Sequence, residues 1–166
     1  MELGTKAKGT YVLLMRLHQP ATIAVARLEL RLPPGHYAYV GSAMGGLAGR
    51  LRHHLTPLSR SHWHIDRLRR YAPVEEVWCA ETAAREECAW AGELQCNGGE
   101  PVPGFGASDC RCRSHLFRFQ APPSPQEVLP LATRRFVLLG LTPAEAARFL
   151  KLGEFPNCSR FDSAEK

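Results

Sequence analysis

The residues with the most chemical content lie in three places along the chain. Gly9-Thr10-Tyr11 and Tyr39-Val40-Gly41 each join a glycine to a tyrosine at the edge of an apolar run, and Arg50 follows on a helical pattern. A guanidinium held on a rigid helix suits the neutralisation of negative charge that develops during a reaction. A phenol accepts a proton only if neighbouring positive charge or a metal lowers its pKa from about 10. Tyr11 and Tyr39 both qualify for that role, and His54, one turn beyond Arg50, could assist proton transfer or contact an anion. Further along, Cys110-Arg111-Cys112-Arg113-Ser114-His115 offers thiols and an imidazole, which are zinc-type donors. A fourth ligand would have to come from afar, from Cys79, Cys96 or His64; the alternative is a thiol pair and a histidine that tie the segment to the core.

The elements that must position these groups follow from periodicity. Tyr11 to Leu17 and Thr22 to Ala26 are β-branched and apolar runs separated by His18-Gln19-Pro20, which predicts a hairpin; Tyr37 to Val40 is a third strand after the Pro33-Pro34-Gly35 turn. Leu47, Leu51 and Leu55 recur every four residues and predict a helix that carries Arg50 and His54 on a neighbouring face. The run from 62 to 71 reads as a second helix closed by Pro73, Val74 to Cys79 as a strand, and Thr82 as the cap of a third helix through Leu94. The Gly- and Pro-rich stretch from Cys96 to Cys112 is irregular and long enough to suggest function, and His115 to Phe119 resumes as a strand. Thr142-Pro143-Ala144-Glu145 is a capping box that opens a helix to about Lys151.

In order and spacing these segments resemble the signature of the GIY-YIG nuclease superfamily, with Thr10 standing where the name pattern has isoleucine. YAYVGSAMGGLAGRLRHHL, HWHID, EECAWA and GFGASDCRCRSHLF are similar to one branch of it, small uncharacterised domains sometimes fused to endonuclease III-type DNA glycosylases. The resemblance covers about residues 9 to 120. It implies metal-dependent hydrolysis of DNA phosphodiesters, with a connection to DNA repair, one Mg²⁺ or Mn²⁺, a tyrosine at the proton, Arg50 at the phosphorane and a carboxylate on a later helix as metal ligand. Glu86, Glu87 and Glu93 are the acids available there. On a helix, Glu87 shares a face with Ala84, Cys88, Ala91 and Leu94, whereas Glu86 and Glu93 lie on the Trp90 side, so Glu87 is the acid that needs a buried partner and Glu93 stays open as the alternative. Asp109 and His115 also fall in the pattern, so that Asp109, Cys110, Cys112 and His115 would line the active site.

The expected fold is α+β: a small, mostly antiparallel sheet with a three-stranded core, flanked by helices. Residues 1–120 would form the nuclease-like domain and residues 121–166 a proline-rich joint with a small helical C-terminal appendage. With 166 residues, 45% hydrophobic and 22% charged, the chain is neither disordered nor a coiled coil. It lacks a membrane-length apolar run and the apolar core of a signal peptide, which predicts a cytoplasmic protein with its six cysteines reduced. Net charge is +5 overall, yet Arg31 to Arg70 holds seven arginines against one acid, Asp66, and five of the seven histidines. Such a stretch suits a polyanion, and Arg52, His62, His64, Arg67, Arg69 and Arg70 are the candidate backbone contacts. Asp66 could orient His62 or pair with Arg69 or Arg70. The form of the nucleic acid, DNA or RNA, and the oligomeric state stay open. Two other classes are compatible with these residues: a binding module of the same fold without chemistry, and a zinc-stabilised interaction domain.

Overall fold

The first strand decides the architecture. Tyr11-Val12-Leu13-Leu14-Met15 is apolar at every position, which suits a strand covered on both faces rather than one with a wet side. In the computed structural model, which describes residues 6–57, 60 and 63–152, this strand is β1 (Gly9–Leu17), near the centre of a six-stranded sheet. It is flanked by β4 (Gly35–Ala43) and β5 (Val74–Glu81), and both pairings are antiparallel. The sheet extends through β7 (Leu116–Phe119) to the two-residue β6 (Glu100–Pro101) on one side, and to β8 (Leu139–Leu141) on the other. The sheet has six strands where the sequence predicts a three-stranded core, and of the three strands expected there only the first and third, β1 and β4, belong to it; β6 and β8, which periodicity does not reveal, are two and three residues long.

The expected hairpin between the first two strands does not form. Both edges of β1 are already occupied, so β2 (Ala21–Val25) pairs instead with β3 (Leu28–Leu32) in a separate two-stranded ribbon. β3 has the alternating sequence LELRL, a period-two signal on which the strand could have been found.

Alternation along β1 sorts the core into two layers. Tyr11, Leu13, Met15 and Leu17 pack with α1 (Leu47–Leu55), α2 (His64–Arg69), the β2–β3 ribbon and Ala146 of α6 (Pro143–Leu152). Val12 and Leu14 pack on the opposite side with Trp90, Ala91 and Leu94 of α3 (Glu87–Cys96) and with Val128 and Ala132 of α4 (Pro125–Val128) and α5 (Pro130–Arg135). Each fully buried side chain of this size stabilises the fold by about 1.5–3 kcal/mol before conformational entropy is subtracted.

Two further departures from the sequence reading have local causes. α3 starts at Glu87, because the hydroxyl of Thr82 is buried at the end of β5, 2.9 Å from that of Thr10, and does not cap a helix. Residues beyond 120 do not simply hang from the sheet: β8 adds a strand to it, and α4 and α5 cover its second face. The capping box at Thr142 forms as read, with Thr142 N–H donating to Glu145 at 2.8 Å and Glu145 N–H to Thr142 Oγ1 at 3.2 Å.

Close packing around β1 makes Gly9 a sensitive position. A Cβ there would lie 2.2 Å from the carbonyl oxygen of Ala80 and 2.4 Å from the Leu47 side chain, whereas one at Gly45 meets nothing within 4 Å. We expect Gly9→Ala to destabilise the fold by about 1–3 kcal/mol and Gly45→Ala to change it by less than about 0.5 kcal/mol, measured by equilibrium denaturation.

Candidate active site

The two glycine–tyrosine segments meet at one end of the sheet. Register places Tyr11 opposite Gly41 and Tyr39 opposite Leu13, so both phenols project from the same face toward α1. Gly41 is required there: a Cβ would come within 2.6 Å of the Tyr11 hydroxyl, so only a glycine lets that ring lie across β4. Four-residue spacing on α1 then presents Arg50 and His54 to the same point. Arg50 Nη1 donates to the Tyr11 oxygen at 3.4 Å and to the Ser42 carbonyl at 3.3 Å, and its guanidinium stacks 4.6 Å from the Trp63 ring centroid. Nε2 of His54 lies 2.8 Å from the Tyr11 oxygen.

Hydrogen-bond inventory fixes the direction of this chain. Tyr11 is fully buried, its oxygen accepts from Arg50, and of its two side-chain partners only His54 can accept the phenolic proton. His54 is therefore assigned the tautomer with its proton on Nδ1, which faces Asp66 Oδ1 across 4.0 Å. Burial, reinforced by the positive charge of Arg69, holds the His54 pKa at about 3, so the ring is neutral at ordinary pH.

Asp66 is itself fully buried and richly bonded. It accepts from His53 Nε2 at 3.0 Å, from Arg69 Nη1 at 3.2 Å and from the backbone N–H of Trp63 at 3.0 Å, the last closing the first turn of α2. Of the two partners the sequence suggested on this helix, Arg69 is the one hydrogen-bonded to it. Arg69 also donates to the carbonyls of His53 at 3.2 Å and Thr56 at 2.8 Å, and its side chain is 8% exposed. It is a structural cation joining α2 to α1, with its donors turned to protein acceptors. His53, His54 and Asp66 could as a group hold a metal ion by proximity, but the Arg69 guanidinium already supplies positive charge to that carboxylate.

Burial acts on the tyrosines against the sequence expectation. Desolvation raises both phenols, Tyr39 to about 12, with the charge of Arg50 only partly opposing it. Both therefore keep their protons at neutral pH. They differ in access: Tyr11 is sealed in the core, while Tyr39 is half-buried beside Phe105 of the 102–115 loop, ring centroids 6.2 Å apart.

The three candidate acids separate cleanly. Glu87, the first residue of α3, accepts a hydrogen bond from Ser42 Oγ, on the strand whose backbone carbonyl at the same residue receives Arg50, and lies 3.7 Å from exposed Arg85. Glu86 pairs with Arg135 at 3.3 Å. Glu93 accepts from the N–H groups of Leu131 and Ala132 at 2.6 and 3.3 Å, which makes it the acid at the start of α5. Of the three, Glu87 is the one bonded to the strand end that carries the tyrosines, from the opposite face of the sheet. Its side chain is 15% exposed, so a carboxylate oxygen, the donor type that Mg²⁺ or Mn²⁺ takes, reaches the surface beside Ser42 and Arg85. Thr10, at the variant position of the motif, is 3.4 Å from the Ser42 hydroxyl and so belongs to the same polar chain.

Residues 10–138 match a protein family described as a domain of unknown function, DUF123. The chain belongs to the DUF123 family. No curated protein and no solved structure matches it. The DUF123 segment contains every side chain of the cluster and runs through α4 and α5, past the boundary drawn at residue 120 from the sequence.

The remaining candidates divide. Arg52 and Arg70 are exposed, and Arg52 reaches the Leu150 carbonyl at 3.4 Å; Arg67, half-buried, donates to the Ala24 carbonyl. His64 is exposed with its ring 6.4 Å from Phe105, and His62 lies outside the described residues. Asp109 is exposed on the loop, whereas Cys110, Cys112 and His115 gather around Cys88, in place of the Cys79, Cys96 or His64 that the sequence offered as a fourth ligand. Glu87, next to Cys88, drew attention to that helix, but nothing in the spacing joins Cys88 to a loop more than twenty residues later.

The neutral His54 carries a pH signature. Its folded pKa of about 3 lies below the unfolded value of about 6.5, so the unfolded chain binds more protons between the two. The stabilisation is complete above pH of about 6.5 and is lost as pH falls toward 3. We expect a loss of about 3 kcal/mol from this group between pH 7 and 4, read by denaturant unfolding at each pH, with a shallower dependence in His54→Gln. Equal slopes in the two proteins would remove His54 as the cause.

Proposed function

We propose that this protein is a metal-dependent nuclease that hydrolyses phosphodiester bonds in DNA. The observation that carries the reading is the convergence of Arg50, Tyr11, Tyr39 and Glu87 at one end of the sheet, with Arg50 aimed by a phenol, a carbonyl and an indole. Hydrolysis adds water across a P–O bond: the water oxygen joins phosphorus, the sugar oxygen leaves with one proton, and the other proton goes to solvent. Arg50 supplies fixed positive charge where the phosphorane oxygens become negative. Tyr39, half-exposed and protonated, offers a hydroxyl to orient the attacking water. Tyr11 and His54 act behind it, holding the guanidinium in place from the protein interior. Glu87 would hold the divalent ion, which when bound lowers the pKa of its water and polarises the phosphoryl oxygen.

Arg31, Arg52, Arg60 and Arg70 of the basic segment lie at the surface and are the proposed contacts to the nucleic-acid backbone, a mode of binding that carries little base specificity. Among the described residues no helix is long and apolar enough to cross a membrane.

Labelled single-stranded, duplex and branched DNA and RNA, incubated with and without Mg²⁺ or Mn²⁺, test the reading directly. We expect metal-dependent cleavage, a loss of about 10² to 10³ in rate in Arg50→Ala with the circular dichroism spectrum retained, and a collapse of activity in Glu87→Gln. Glu93→Gln should lose some stability through the start of α5 while keeping activity. Binding that weakens steeply with salt but is never followed by cleavage would instead identify a nucleic-acid-binding module.

A further inference from the structure

The loop between β6 and β7 is the longest irregular segment described, and it needs a physical reason to be ordered. Its base is well tied: Val102 N–H donates to the Leu116 carbonyl at 2.9 Å, Gly104 N–H to the Arg113 carbonyl at 2.8 Å and His115 N–H to the Phe105 carbonyl at 2.8 Å. Phe105 is fully buried and anchors the first half. The second half, from Ala107 to Arg113, is mostly exposed and polar, yet Cys110 and Cys112 are drawn inward from it.

They are drawn toward two residues placed by regular structure. Cys88 stands on the first turn of α3, and His115 immediately precedes β7, buried and with its carbonyl accepting from Val40 N–H at 3.0 Å. One ligand atom from each of Cys88, Cys110, Cys112 and His115 lies within 4.8 Å of all the others. Nε2 of His115 is 3.8 Å from Cys88 Sγ and 3.5 Å from Cys110 Sγ. A tetrahedral zinc with bonds of about 2.3 Å to sulfur and 2.0–2.1 Å to nitrogen sets its sulfur–nitrogen edges at about 3.6 Å. The measured separations bracket that edge.

We propose that Cys88, Cys110, Cys112 and His115 form a structural zinc site that staples the start of α3 to the loop leading into β7. Three sulfurs and one imidazole select a borderline or soft cation over Mg²⁺ or Mn²⁺, which take oxygen donors. Four protein ligands close the coordination sphere, so the ion shapes the fold and takes no part in chemistry. Three thiolates around one Zn²⁺ leave a net charge of −1, and the exposed Arg111 and Arg113, interleaved with Cys110 and Cys112, offset it. The site is distinct from the oxygen-donor position at Glu87, and it stands whether or not the protein cleaves nucleic acid.

The test uses the whole chain, expressed in zinc-supplemented medium and purified without chelator. Elemental analysis should return one zinc per chain, and replacement by Co²⁺ should produce the intense visible absorption of a tetrahedral site with thiolate charge transfer in the near ultraviolet. Cys88→Ser, at an exposed position where the fold should survive, should weaken zinc by more than about tenfold in competition with a chromophoric chelator, while Cys96→Ser, exposed and outside the cluster, leaves it unchanged. Chelation should lower the thermal midpoint by several degrees in the wild type and not in Cys88→Ser. A chain that stays metal-free in excess zinc, with Cys88, Cys110 and Cys112 all reactive or two of them joined in a disulfide, would overturn the proposal. Zinc content can fail while Mg²⁺-dependent cleavage succeeds, or the reverse, so the two proposals fail separately.

Discussion

A carboxylate buried without donors would be forced to neutralise, and Asp66 is buried completely. The protein answers with an imidazole, a guanidinium and the first amide of α2, drawn from two helices, so that satisfying one charge also fixes how α1 and α2 pack. That packing sets the position of His54, which is pressed between Asp66 and the Tyr11 hydroxyl, and through Tyr11 the position of Arg50. Removing the carboxylate would leave Arg69 as an uncompensated cation with 8% of its side chain exposed, a defect that typically costs about 3–5 kcal/mol. The position of the Arg50 guanidinium thus depends on an ion pair, Asp66 with Arg69, that it does not itself touch.

Backbone proximity is the second constraint. The site lies where β1 and β4 run side by side, and Gly9 and Gly41 are the positions at which a side chain would displace either Leu47 or the Tyr11 ring. On the opposite face of the same strand end, the hydroxyls of Thr10, Ser42 and Thr82 form a short polar path that ends at Glu87. The sheet end therefore gathers a cationic and aromatic group from one layer and a carboxylate from the other.

Much of this was legible before any coordinates. Spacing alone put Arg50 and His54 on one helical face, the four-residue leucine repeat gave that helix its buried side, and the capping box at Thr142 formed as written. The three acids at α3 were separable by helical face in the sequence, but what each one meets was not: Ser42 for Glu87, Arg135 for Glu86 and the first amides of α5 for Glu93. Tyrosine ionisation went the other way, because a sequence displays neighbouring charges but not the desolvation that outweighs them.

Local rules thus determined most elements and the chemical types gathered at the site: β-branched and apolar runs for strands, a four-residue repeat for a helix, arginine and histidine on one of its faces. Partners distant in the chain were decided only by the tertiary structure. β1 turned from β2 to β5 because a strand has two edges, and the longer β4 and β5, nine and eight residues against five, filled both. Arg69 turned inward because a buried carboxylate outbids solvent for a guanidinium within reach. Cys88 reached Cys110, Cys112 and His115 because α3 packs on the face of the sheet that β7 helps to form, a proximity set by burial of their apolar side chains and invisible in sequence separation.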